Sequence, residues 1–184
     1  TCLAYINRDK KDCNKVKVMN MGDGSTIHES ENATYMTSLQ FNWKGDRFMY
    51  LAAQDTTSSG SKHCSLYEYQ FGKGMRTVVS NEDSEKLIDG WGLTEKSAPS
   101  YSRINSRILV GIQPYVAPDN KNKYDFETAE PNIWRHDAEY IPPMFRVGDL
   151  KNRNMRVLCT VRPNGQLMQL AKSYHDVIRI ANRN

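Results

Sequence analysis

The segment Arg47-Phe48-Met49-Tyr50-Leu51 constrains this chain more than any other, because it is apolar on both faces of an extended strand. Successive side chains of a strand point to opposite sides, so Phe48 and Tyr50 share one face and Met49 and Leu51 the other. A one-sided sheet needs only one of those faces. A strand with two must be covered twice. It follows Leu39-Gln40-Phe41 across a polar break, Trp43-Lys44-Gly45-Asp46, in which Gly45 can supply the positive φ of a short turn. The pattern predicts a β-hairpin over Leu39 to Ala53, and a lone hairpin is marginal in water, so the chain must add sheet on either side.

The flanking residues supply it. Leu3 to Ile6 and Lys15 to Met21 read as strands, separated by a charged loop and followed by the turn Gly22-Asp23-Gly24-Ser25 and a polar loop holding His28 and Glu29. After the hairpin, His63 to Tyr69 is a strand, Gly72-Lys73-Gly74 a turn and Met75 to Val79 a fourth strand. The acidic stretch Asn81 to Trp91 has room for one helical turn.

The pattern then restarts about sixty residues on. Ser100 to Val110 repeats the hairpin, with Tyr101 at the place of Phe41 and Arg107 at that of Arg47. Asn132-Ile133-Trp134-Arg135-His136 takes the part of Ser65-Leu66-Tyr67-Glu68-Tyr69, and Met155 to Val161 and Gln166 to Ala171 add two further strands around Pro163-Asn164-Gly165. Val16 to Gly24 matches Leu66 to Gly74 at an offset of fifty. Three partial copies of one meandering antiparallel unit predict an all-β fold, a partial β-propeller of about three four-stranded blades. The expected division of the single fragment 1–184 is 1–36 as the end of one blade, 37–81 as the second and 97–171 as the third. Residues 114–131 are an insertion in that third blade, and 172–184 start the next blade or form a tail. Closed propellers need at least about four blades, so the expected object is an arc of a larger ring, and a β-sandwich with chance self-similarity is the competing fold.

Composition excludes several classes of function. No run approaches the roughly twenty apolar residues of a membrane-crossing helix, and Thr1-Cys2-Leu3-Ala4-Tyr5 is no signal peptide, so no membrane partner is expected. A start in mid-strand without Met is what a segment of a longer protein would show. The net charge of +4, from 25 basic and 21 acidic residues, is a mild bias gathered late in the chain at Arg146, Lys151, Arg153, Arg156 and Arg162, without the basic stripe and interleaved aromatics of a nucleic-acid protein.

No chemistry-bearing motif stands out. Cys2, Cys13, Cys64 and Cys159 are scattered, with neither zinc-ligand spacing nor a disulfide framework, and Cys64 and Cys159 fall in strands as buried thiols. His28, His63, His136 and His175 lie far apart, with no H-E-x-x-H. His136 sits beside Asp137 and Trp134, but a strand puts Asp137 on the opposite face, where it cannot orient the imidazole. Gly22 to Ser25 lacks the Lys and following helix of a phosphate-binding loop. Asp125, Glu127, Glu130 and Glu139 gather around the insertion, where a carboxylate pair would serve glycoside hydrolysis, although sequence spacing on a loop fixes no distance in space. No catalytic residue, metal ligand or cofactor is therefore expected, and no binding residue is assigned.

Pro114-Tyr115-Val116-Ala117-Pro118-Asp119, Tyr124-Asp125-Phe126-Glu127, Pro131-Asn132-Ile133-Trp134-Arg135-His136, Tyr140-Ile141-Pro142-Pro143-Met144 and Lys151-Asn152-Arg153-Asn154 resemble the N-terminal propeller of secreted bacterial serine peptidases of the prolyl oligopeptidase family. The likeness covers roughly residues 38 to 181, and the shorter hairpins are shared with TolB-like propellers. Where the family often has an acidic residue before the Ile-Trp pair, this chain has Asn132. The resemblance implies a secreted or periplasmic parent with a downstream α/β-hydrolase domain carrying a Ser-Asp-His triad, and a propeller that gates peptide substrates by size. The G-x-S-x-G elbow that raises such a serine above its sheet is absent from these residues, so this chain should be catalytically silent alone. Two other expectations remain open: a free-standing TolB-like scaffold that binds protein or self-associates through uncovered blade faces, and a carbohydrate-active propeller using the insertion carboxylates.

Overall fold

The computed structural model describes residues 1–8, 13–54, 60–103, 107–115, 155–162, 164–173, 176 and 178. Among them the regular structure is almost entirely strand, arranged as three antiparallel sheets. The first holds β1 (Cys2–Arg8), β2 (Asn14–Asn20) and β3 (Thr26–Glu29) in that order. The second is a four-stranded meander, β4 (Tyr35–Phe41), β5 (Arg47–Ala53), β6 (Ser65–Gln70) and β7 (Gly74–Val79). A short helix, α1 (Asn81–Glu85), then starts from Ser80, whose hydroxyl accepts the Asp83 N–H as an N-cap. In the third sheet β8 (Trp91–Gly92) and β9 (Ser100–Tyr101) share one edge of β10 (Ile108–Pro114), and β11 (Val157–Val161) and β12 (Leu167–Gln169) follow on its other side.

The hairpin forms where Gly45 allows it, at φ 70°, but the side chain of Asn42 organises the turn. Its Oδ1 accepts the backbone N–H groups of Asp46 and Arg47 (3.1 and 3.3 Å), and its Nδ2 donates to the Asp46 carboxylate (2.6 Å). An Asx side chain that closes a turn on itself replaces the backbone bonds that the break in the ladder forfeits.

β5 is buried on both sides, as its alternation requires. Phe48, Tyr50 and Ala52 join Val16, Val18 and Met36 in a core between the first and second sheets. Met49, Leu51 and Ala53 join Leu66, Ile108, Val110, Ile112 and Cys159 in a core between the second and third. A two-layer sandwich would leave the middle sheet one dry face; it has two.

At two places, residues sixty apart have strand partners sixty apart. Phe41 pairs with Phe48 and Tyr101 with Ile108, while Gln40 pairs with Met49 and Ser100 with Leu109. The offset extends to backbone strain. Among the described residues the non-glycine positions with positive φ are Ser38 (58°), where β4 shifts register against β5, and Ala98 (41°), which follows Ser97, whose carbonyl accepts the Gly111 N–H (3.1 Å).

Several expectations change. His28 and Glu29 lie in edge strand β3, not in a loop, opposite Val18 and Lys17. An edge strand needs partners on one side only, and Glu29 is held there by Lys15 and Lys17 (2.5 and 3.4 Å), so Thr26-Ile27-His28-Glu29 needs little apolar content. β4 begins at Tyr35 rather than Leu39, because the bulge at Ser38 lets the ladder continue beyond the hairpin. The third sheet takes in Trp91 and Gly92, ahead of the expected start at 97. The place beside the second strand, expected for 132–136, is held by Val157–Val161, paired with Leu109–Ile112; residues 132–136 themselves lie outside the described residues. Cys64 is one residue short of β6.

Candidate functional site

Two clefts flank the middle sheet, and each contains a polar group where the strand alternation calls for an apolar one. On β6, Leu66 and Glu68 face the third sheet. Leu66 joins the core, whereas Glu68 places a carboxylate there with 1% of its surface exposed. A buried carboxylate survives only when paired and hydrogen-bonded. Its cross-strand neighbour Arg76 donates to Oε2 from Nε (2.8 Å) and Nη2 (2.5 Å), the Tyr101 hydroxyl donates to Oε1 from the third sheet (2.9 Å), and the Arg47 guanidinium stands 3.8 Å away. Burial, and then the charge of Glu68, raises the Tyr101 pKa well above that of a free phenol, so its hydroxyl stays a donor.

This group floors a cleft of about 450 Å³ at the ends of the strands, lined by Arg47, Glu68, Lys73, Arg76, Arg107 and Arg162 above Val78, Ile108 and Val161. Gly165, at φ 85° in the turn between β11 and β12, brings the third sheet close; a Cβ there would stand 3.3 Å from the Val78 carbonyl oxygen. The cleft is strongly cationic. Its charge suits an anion, and among the described residues no serine, threonine or cysteine lines it.

The opposite cleft, about 430 Å³, lies between the first and second sheets and is lined by His28, Glu29, Glu31, Tyr50, Tyr67 and Met75 among others. His28 stacks on Tyr69, with ring centroids 4.4 Å apart, and its Nε2 is buried without a hydrogen-bond partner. Burial lowers its pKa, which favours the neutral imidazole. Tyr50 stacks on Tyr67, and burial foremost pushes its pKa up to about 12. These rings make an aromatic wall, and the neutral imidazole has no nucleophilic hydroxyl or thiol bonded to it.

His63 pairs with Glu85 (Nδ1 to Oε1, 3.0 Å) and stacks on Tyr115 at 3.8 Å. A His-Glu pair needs a serine to make a triad. The nearby Ser84 is buried, donates to the Asn81 carbonyl (2.7 Å) and accepts the Leu93 N–H (3.1 Å), so its hydroxyl serves the backbone. Gly92 belongs to the same packing: a Cβ there would fall 2.0 Å from the Tyr115 hydroxyl.

Of the residues singled out in the sequence, Cys159 is a buried thiol whose pKa burial pushes up to about 11, Cys64 is also buried, Cys2 and Cys13 are exposed, and none forms a disulfide. His136, His175, Asp125, Glu127, Glu130 and Glu139 lie outside the described residues. Among the described residues no group of three His, Cys, Asp or Glu side chains could hold a metal, and no helix is long and apolar enough to cross a membrane. Sequence reasoning missed the Glu68 constellation, although its signal was present: a charged residue at an inward position of an alternating strand. Comparison of the chain with protein-family models, curated proteins and solved structures found no match.

Proposed function

We propose that this chain is an arc of a β-propeller that covers and gates the active site of a secreted serine peptidase of the prolyl oligopeptidase family, the hydrolase domain lying elsewhere in the parent polypeptide. One observation supports the reading: the middle sheet is apolar on both faces and lies between two sheets, one of which has two strand pairings and a positive-φ residue at an offset of sixty residues from its own. Sheets of one design stacked face to face are the building principle of a propeller, and further copies would cover the outer faces of the first and third sheets. The described side chains contribute packing and charge, so the hydrolytic step belongs to the partner domain.

The parent polypeptide tests this. Its coding sequence should contain a G-x-S-x-G motif downstream of Asn184, and the purified parent should react with a fluorophosphonate probe and cleave short peptides while sparing folded proteins. A parent that has no such motif and does not label with the probe refutes the peptidase role.

A further inference from the structure

We propose that the cleft between the second and third sheets is a binding site for an oxyanion, a carboxylate or phosphate group, carried on a small ligand or a peptide end. The inference does not depend on the peptidase reading. Five cationic side chains, Arg47, Lys73, Arg76, Arg107 and Arg162, line the cleft against a single carboxylate, Glu68. Glu68 is already committed: Oε2 takes two bonds from Arg76 and Oε1 takes the Tyr101 hydroxyl. It forms no ion pair with Arg162 or Lys73. Arg162 donates to the Met168 sulfur at 3.2 Å, a weak acceptor that carries no charge, and among the described residues no carboxylate pairs with Arg162 or Lys73. Arg47 is already shared between two carboxylates, with its Nε 3.7 Å from Asp46 and Nη1 3.8 Å from Glu68, so the unmet charge in the cleft lies with Arg162 and Lys73.

Converging cations from β5, β7 and the β11–β12 turn repel one another, and a bound anion relieves that repulsion. The volume of about 450 Å³ lies within the usual range for small-ligand sites. Val78, Ile108 and Val161 add an apolar floor, which favours an anion attached to a hydrocarbon body over a bare inorganic ion.

Isothermal titration calorimetry of the chain against N-acetyl-leucine, N-acetyl-leucinamide and inorganic phosphate tests the site and separates the two sources of oxyanion. The acid should bind, the uncharged amide should not, and added salt should weaken binding. Phosphate binding more weakly than the acid supports the apolar floor; phosphate binding more tightly assigns the site to a phosphate group. Arg162→Gln and Lys73→Gln lie outside the Glu68 network and should leave thermal unfolding unchanged while reducing affinity about tenfold for Arg162→Gln, the loss of one charge-assisted contact. Binding of neither the acid nor phosphate, equal binding of acid and amide, or affinity unchanged in the Arg162→Gln/Lys73→Gln double variant would overturn the proposal.

Discussion

Removing Arg76 should destabilise this protein more than removing Glu68, although the two side chains form one ion pair. The difference lies in which charge is left behind. Arg76→Gln strands the Glu68 carboxylate, 1% exposed, with the Tyr101 hydroxyl and Arg47 at 3.8 Å as its remaining support. Breaking a buried pair in this way costs about 3 to 5 kcal/mol. Because 56% of the Arg76 side chain is exposed, solvent screens part of the interaction, and about 2 to 3 kcal/mol is the better figure. Glu68→Gln instead leaves a guanidinium that water reaches, and the new amide still accepts the Tyr101 hydroxyl, so about 1 kcal/mol is expected. Urea unfolding followed by tryptophan fluorescence reads both. With a slope of about 2 kcal/mol/M, the midpoint should fall by roughly 1 to 1.5 M for Arg76→Gln and roughly 0.5 M for Glu68→Gln at unchanged slope. The double variant should be more stable than Arg76→Gln alone, since it removes the stranded charge. Equal losses, or a larger loss for Glu68→Gln, would refute the reasoning.

Three further outcomes are expected. Phe48→Ala and Leu51→Ala, on opposite faces of β5, should each cost about 3 kcal/mol in the same urea assay; a loss below about 1 kcal/mol at either would mean that face is not packed. Acidification from pH 7 to 5 should lower stability through His28: burial holds its folded pKa below the ordinary 6.5, so the unfolded chain takes the proton first and stability drains away below that pH, whereas the lowered pKa values of Glu29 and Asp46 act only in the carboxylate range. His28→Phe should flatten the wild-type slope of midpoint against pH in that window, and an unchanged slope would remove His28 as its source. Ala98→Gly, which relieves a φ of 41°, should raise stability by about 0.5 kcal/mol despite the extra chain entropy of glycine, and a lower melting temperature would contradict the strain assigned there.

The two-faced character of β5 and the sixty-residue offset were legible because both are local: a period of two, and aromatic residues at matching positions before a turn. What the sequence concealed depends on partners distant along the chain. Trp91-Gly92 is too short to look like a strand, and it becomes one only because the end of β10 offers a free edge. Residues 132–136 looked like the third strand of their sheet because Trp134 stands where an aromatic was wanted, yet β11 reaches that edge from farther on, with Cys159 and Val157 paired to Val110 and Ile112. Thr26–Glu29 hid for the opposite reason, as a polar strand held by lysines. The cationic cleft was invisible because Arg47, Arg76 and Arg162 come from three elements, and nothing in their spacing reveals that they converge.

The middle sheet has no face to itself, and this bears on how the molecule comes apart. Opening either core strips one whole side of β5 and β6, so loss of the first sheet should loosen amides as far away as the side that packs on the third. Hydrogen exchange would then report the two cores as a single cooperative block rather than as layers peeling in turn, with the slowest amides on β5, the strand that both neighbours must release.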